Sequence, residues 1–185
     1  MAAVHEQRVG DGVLRLQQAD ITTLHVDAIV NAANQGLAGG GGVDGAIHRA
    51  AGWSLMEELR ARYDGCPTGS AVITSAGNLD ARHVIHAVGP RWRDGTHGEP
   101  DLLRSAYRTS FALAAEHGCV TVAAPSISTG IYGFPIDLAA PIALEEALSA
   151  MRADTPVREI TFALFSPADL DTFAAALAVQ RRRSP

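Results

Sequence analysis

Apolar positions along this chain follow two periods that take turns, and the alternation predicts the architecture. Short runs that are continuously apolar, or alternate with period two, occur at residues 13–16, 26–30, 70–75, 83–88, 120–124 and 159–165 and read as strands. Stretches with helical spacing lie between them. Residues 46–51 form a short helix stopped by Gly52, and Ser54-Leu55-Met56-Glu57 has the spacing of a capping box opening a second helix to about residue 62, closed by Gly65 and Pro67. Leu103, Tyr107, Phe111 and Ala114 form the apolar, core-type face of a helix ending at Gly118. Asp137 is placed to cap a helix with Pro141 in its first turn and Leu144, Leu148 and Met151 on one face. Ser166-Pro167-Ala168-Asp169 reads as a capping box for a terminal helix buried through Leu170, Phe173, Ala174 and Leu177. Strands alternating with helices predict an α/β fold with helices on both faces of a largely parallel sheet.

Two strand ends carry residues that packing does not require. The first strand end, Asn31-Ala32-Ala33-Asn34, leads into Gly39-Gly40-Gly41-Gly42-Val43-Asp44-Gly45, directly before a helix. Ordering four glycines is entropically costly and marks backbone that approaches a ligand, while a helix N-terminus presents unpaired amides to an anion. A floppy loop with Asp44 as a plain cap, and asparagines that only bind the loop backbone, are the bland alternatives. The second strand end runs through Pro125 into Ser126-Ile127-Ser128-Thr129-Gly130-Ile131-Tyr132-Gly133-Phe134-Pro135, where amides and hydroxyls can hold phosphate oxygens. Both loops sit where open α/β sheets bind ligands, beyond the carboxyl ends of strands. Gly-x-Ser-x-Gly is absent around Ser126 and Ser128, which removes the serine-hydrolase reading.

Composition narrows the chemistry further. At 185 residues, with 47% hydrophobic and 19% charged residues, the chain is expected to form one soluble domain over residues 1–185, with its core at about 13–175. All fifteen Lys+Arg positions are arginine, so neither Schiff-base chemistry nor a P-loop lysine is available. A net charge of −5 argues against general nucleic-acid binding. Arg181, Arg182 and Arg183 read as a solvated, frayed end. Cys66 and Cys119 match no Cys-x-x-Cys spacing and need not pair; a cytoplasmic location is expected, since residues 1–10 lack a signal-peptide core and no apolar run could cross a membrane. His83 and His86, three apart on a strand, face opposite sides and read as structural rather than metal ligands.

Several ordered motifs together resemble a MacroD-type macrodomain: Asp27-Ala28-Ile29-Val30-Asn31-Ala32-Ala33-Asn34, the glycine-rich stretch 39–52, Cys66-Pro67-Thr68-Gly69, His86-Ala87-Val88-Gly89-Pro90 and the stretch 126–135. The resemblance spans residues 13–173. It implies a three-layer α/β/α sandwich on a mostly parallel mixed sheet that binds ADP-ribose. It also implies a hydrolase that removes mono-ADP-ribose from acidic side chains of modified proteins and deacetylates O-acetyl-ADP-ribose, without metal or cofactor. A monomer is expected.

Carried over by position, the resemblance gives Asp20 and the Ile21 amide to the adenine edge and Phe165 to the adenine ring. It gives the diphosphate to Gly40, Gly41, Gly42 and Val43 on one side and to Ser128, Thr129, Gly130, Ile131 and Tyr132 on the other. Tyr132 also covers the distal ribose, Asn31 belongs to the binding set, and Asn34 and Asp44 flank that ribose as the catalytic pair. Ala19, Gln35-Gly36 and Phe134 depart from the family pattern, where glycine, Pro-Ser and tyrosine are usual. The alternative function is a non-catalytic ADP-ribose reader, with a polymer or nucleic-acid scaffold disfavoured by charge.

Overall fold

The computed structural model describes residues 3–183, so the outermost two residues at each end of the expected 1–185 domain lie outside it. Seven strands form one sheet: β1 (Val4–Val9), β2 (Gly12–Gln18), β3 (Ala28–Ala33), β4 (Ala71–Ser75), β5 (His83–Val88), β6 (Thr121–Ala124) and β7 (Glu159–Leu164). Their spatial order is β1-β2-β7-β6-β3-β5-β4. The five strands from β2 to β5 run parallel, and β1 and β4 close the two edges antiparallel. Five helices lie among the described residues, α1 (Gly42–Ala51), α2 (Trp53–Arg62), α3 (Glu99–Glu116), α4 (Ile136–Arg152) and α5 (Pro167–Arg183).

The period-two pattern of the strands divides the core. Ala28 and Val30 of β3, with Ile85, Val122, Ile160 and Phe162, pack under α3, α4 and α5 through Tyr107, Phe111, Leu144, Leu148 and Phe173. Ile29, Val84 and Ala123 face the other way, onto Ile47 of α1 and Leu55 of α2. Helices therefore cover both faces, as expected for a parallel sheet.

Four local expectations are corrected. The chain forms an edge strand at Val4–Val9 that the sequence pattern does not announce, because only its last residue is buried. The capping box at Ser54 is not made: Gly52, at φ 85°, ends α1 and is also the N-cap of α2, so Ser54 lies inside the helix and no side chain caps it. Asp137 does not cap α4, which begins at Ile136 after an N-cap at Pro135; Pro141 thus sits beyond the first turn. Arg181–Arg183 remain helical, and Arg181 bonds the Gln7 side chain and the Glu6 carbonyl of β1. The predicted cap at Ser166 is present, its Oγ accepting from the Asp169 amide at 3.1 Å. Both cysteines are free and buried.

Candidate functional site

A cleft of roughly 280 Å³ opens beyond the carboxyl ends of β3, β5 and β6. One wall is Asn34, Gly40, Gly41, Gly42, Val43 and Asp44, the glycine loop and first turn of α1. The facing wall is Ser126, Ile127, Ser128, Gly130, Ile131 and Tyr132, and Gly89 and Arg91 close the β5 side.

The glycine loop leads directly into the helix, which starts at Gly42 rather than Ala46. Gly41 is the N-cap and supplies no side-chain bond, so the first-turn amides remain available to an anion. Gly45 is required by a close approach: a Cβ there would stand 2.6 Å from the Gly40 carbonyl oxygen, so the loop folds against the helix. Asn34 holds that fold, its Nδ2 donating to the Gly39 carbonyl at 2.8 Å and its Oδ1 accepting from the Ala38 amide at 3.1 Å. Asn34 therefore binds the loop backbone and also stands on the cleft wall. Gln35 is pinned too, its carbonyl accepting from the Cys66 amide at 2.8 Å and its amide nitrogen donating to Thr68 at 3.0 Å.

Asp44 is buried at the cleft floor within a polar chain. Its Oδ1 accepts from Asn31 Nδ2 at 2.7 Å, and His48 Nε2, one helical turn on, lies 3.2 Å from the same oxygen. Its Oδ2 faces the glycine loop, 3.3 Å from where a Cβ on Gly40 would stand. Behind Asn31 is fully buried His86. Thr74 gives its hydroxyl proton to the Ser75 carbonyl at 2.8 Å, so its oxygen accepts from His86 Nε2 at 3.0 Å. His86 Nδ1 is then an acceptor, and Asn31 Nδ2 donates to it at 3.2 Å. Burial, with His48 nearby, pushes the His86 pKa down to about 4, in keeping with a neutral ring. His86 is structural, as predicted, and it also orients the amide that reaches Asp44.

The second loop is held in strained backbone, with Ser128 at φ 67°. Tyr107, expected to be core, also buttresses this loop: its hydroxyl donates to the Pro125 carbonyl at 2.8 Å and accepts from the Ile127 amide at 2.9 Å. Thr129 turns back to Ser126, bonding its Oγ at 2.8 Å, rather than lining the cleft. Phe134 is buried against Trp92, ring centroids 4.7 Å apart, so this departure from the family pattern fills the core. Gly89 lies so close beneath the loop that a Cβ would overlap Ser128 Oγ and Ile127 Cγ2.

Two buried side-chain polar atoms among the described residues lack a hydrogen-bond partner, Asn31 Oδ1 and Ser128 Oγ. Asn31, expected in the binding set, is fully buried and does not line the cleft, meeting it through Asp44; the Ser128 hydroxyl packs beneath its loop against Gly89.

Asp20, Ile21 and Phe165 lie outside the cleft but beside one another. β2 and β7 pair through Gln18 and Leu164, and Ala19 donates its amide to the Leu164 carbonyl at 3.2 Å. Asp20 Oδ1 caps a short 3-10 turn, accepting from the Thr22 amide at 3.0 Å, while Ile21 is buried. Phe165 stands almost free, 89% exposed. The strand ends thus place Phe165 at β7, the Ser128 loop at β6, Asn34 at β3 and Arg91 at β5.

No sequence pattern marks Arg91, Gly89 and Tyr107 as site residues; only the motif around Gly89 points toward them. The one group of potential metal ligands among the described residues is Asp94, His97 and Glu99. Glu99 there accepts from the amides of Arg93, Asp94, Gly95 and His97, which makes it a loop staple.

Comparison with known proteins agrees with this geometry. The Macro domain family model matches residues 30–143. A macro domain-containing protein of Chlorobaculum tepidum is 55% identical over 161 residues, covering 87% of this chain and 93% of that protein. O-acetyl-ADP-ribose deacetylase 1 of Pantoea vagans is 49% identical over 163 residues, covering 86% and 95%. Among solved structures, the Oceanobacillus iheyensis macrodomain with ADP superimposes with a TM-score of 0.93 at 36% identity over the whole of both chains. The Trypanosoma brucei macrodomain in complex with ADP-ribose gives 0.82 at 39% identity, over 89% of this chain and 68% of that one.

Proposed function

The chain belongs to the macro domain family, and from that premise we propose that it is a hydrolase that binds ADP-ribose, removes it from acidic side chains of modified proteins and deacetylates O-acetyl-ADP-ribose. The observation that carries this reading is Asp44, buried at the floor of an amide-lined cleft with one carboxylate oxygen held by Asn31 and the other turned toward the glycine loop.

An anionic protein can hold a diphosphate where oriented amides supply local positive potential, and the two loops do so without lysine. The diphosphate lies between Gly40–Gly42 with Val43 and the Ser128–Tyr132 loop, adenine rests on Phe165 beside Asp20 and the Ile21 amide, and Tyr132 covers the distal ribose. A water held at the free oxygen of Asp44 attacks the anomeric carbon. The C–O bond to the protein carboxylate breaks, the carboxylate leaves, and the water's proton passes to Asp44. Asn34 keeps the loop and the ribose in line. A carboxylate is a weak base, so much of the acceleration comes from positioning. The domain acts as one unit across its 185 residues.

The test is turnover by wild type and Asp44→Ala of glutamate-, serine- and arginine-linked ADP-ribosyl proteins and of O-acetyl-ADP-ribose, with ADP-ribose affinity measured by calorimetry. Wild type should cleave the glutamate adduct, and the variant should be slower by about 10²–10⁴-fold while keeping most of its affinity. Wild-type rates in Asp44→Ala would refute the role of that residue. Tight binding without turnover by the native chain would instead make it a reader.

A further inference from the structure

The sheet order gives the cleft a direction, and its far end carries a cation that the hydrolysis does not need. From β7 to β5 the strand ends hold Phe165, the Ser128 loop, Asn34 and Arg91, in that order. Three inter-strand spacings separate the first from the last, roughly 14 Å. A ligand with its base at Phe165 and its diphosphate between the loops has its distal ribose at Asn34. The next position along that line, toward β5, is where the protein bearing the ADP-ribose must leave the cleft.

Arg91, three residues past the end of β5, lines the cleft on that side. Among the described residues, it and Asp44 are the charged ones lining the cleft, and Asp44 is at the floor. The Arg91 guanidinium lies over the Tyr132 ring, 4.5 Å from its centroid. The backbone ties the same two segments together, the Trp92 amide donating to the Tyr132 carbonyl at 2.8 Å. Tyr132 thus limits the wandering of a long exposed side chain and lowers the entropy cost of pairing it. No carboxylate of the described residues pairs with Arg91. The nearby acid in sequence, Asp94, is engaged by Thr96 and His97. The cation is therefore exposed, oriented and uncommitted, on a protein whose net charge of −5 otherwise repels acids.

We propose that Arg91 is a specificity-determining residue that docks a carboxylate on the protein side of the substrate, so that this chain prefers ADP-ribosylated glutamates flanked by other acidic residues. The inference rests on the hydrolase reading and adds the sequence context of the substrate to it. A guanidinium pairs with a carboxylate through two parallel N–H donors, which a neutral amide cannot reproduce.

The experiment compares glutamate-linked ADP-ribosyl peptides whose neighbours are Glu with the isosteric set whose neighbours are Gln. Wild type should favour the acidic set in kcat/KM by about three- to fivefold, the range of an exposed ion pair, and the preference should collapse in about 0.5 M salt. Arg91→Gln should bring the ratio to about one and Arg91→Glu below one. Arg93→Gln, on the same loop but outside the cleft lining, should keep the wild-type ratio. Equal rates on both peptide sets by wild type, or an equal loss with Arg93→Gln, would overturn the proposal. So would a fall in affinity for free ADP-ribose in Arg91→Gln as large as the loss on acidic peptides, since that makes Arg91 a phosphate contact. If no peptide is cleaved the hydrolase reading fails, and dissociation constants for the same peptides then test the docking role by the same ratio.

Discussion

Acidification should destabilise this protein through one side chain in particular, His86. Burial lowers its pKa from 6.5 to about 4 in the folded chain. In the unfolded chain it titrates near its ordinary value, so between those two values the unfolded state binds more protons and stability falls as the pH falls. Linkage with these two values gives a loss of about 2 kcal/mol between pH 7 and pH 4.5, roughly half of it already by pH 5.5. The perturbation that isolates the effect is His86→Gln. Gln can accept from Asn31 with its oxygen and donate to Thr74 with its nitrogen, keeping both bonds without titrating. Urea unfolding of both proteins at pH 7, 5.5 and 4.5 gives the difference directly, because the carboxylates common to both cancel. Wild type should lose about 2 kcal/mol more than the variant over that range. Parallel curves would rule out His86 as the source of the loss, as would an imidazole resonance of His86 that titrates near 6.5 in the native protein.

Three further outcomes follow from the geometry. Gly89→Ala places a methyl against Ser128 and Ile127, so it should cost about 1–3 kcal/mol in denaturant melts and weaken ADP-ribose binding measured by calorimetry. Phe165→Ala removes an exposed ring, so stability should change by less than about 0.5 kcal/mol. Its loss should nonetheless weaken ADP-ribose by about 1–3 kcal/mol while leaving phosphoribose, which lacks the base, nearly unaffected. Glu99 is pulled down to about 2 by the loop amides despite the opposing effect of burial, so its contribution is complete above pH 4.5 and lost as the pH falls toward 2. Glu99→Gln should raise amide exchange at Arg93, Gly95 and His97 at neutral pH and flatten that acid limb.

What was legible in the sequence was whatever a short stretch determines alone. The apolar runs gave every strand but β1, whose half-buried positions are the polar His5 and Gln7 and so leave no apolar period. The Ser166 cap was readable because its partner is three residues away. The Ser54 capping box misled because the same local pattern fits a helix interior once Gly52 has turned the chain. In the site, the two loops stood out as contiguous glycine-rich segments after strands. Arg91 did not, because its meaning comes from β5 lying next to β3 and from a ring more than forty residues away. Tyr107 was indistinguishable from other core aromatics until its hydroxyl was seen to hold the Ile127 amide.

The sheet order also bears on how this protein is made. β3 carries one jaw of the cleft and pairs with β6, Ala28 facing Val122, while β6 in turn needs β7 beside it. Bringing such distant segments together incurs the loop-closure cost before any contact repays it. On the ribosome the glycine loop therefore emerges long before the strand that carries its opposite wall. A nascent chain has no clamp until the last strand has been synthesised, and ADP-ribose can stabilise only the finished sheet. Ligand at about a hundred times its dissociation constant adds about 2.7 kcal/mol to that state alone.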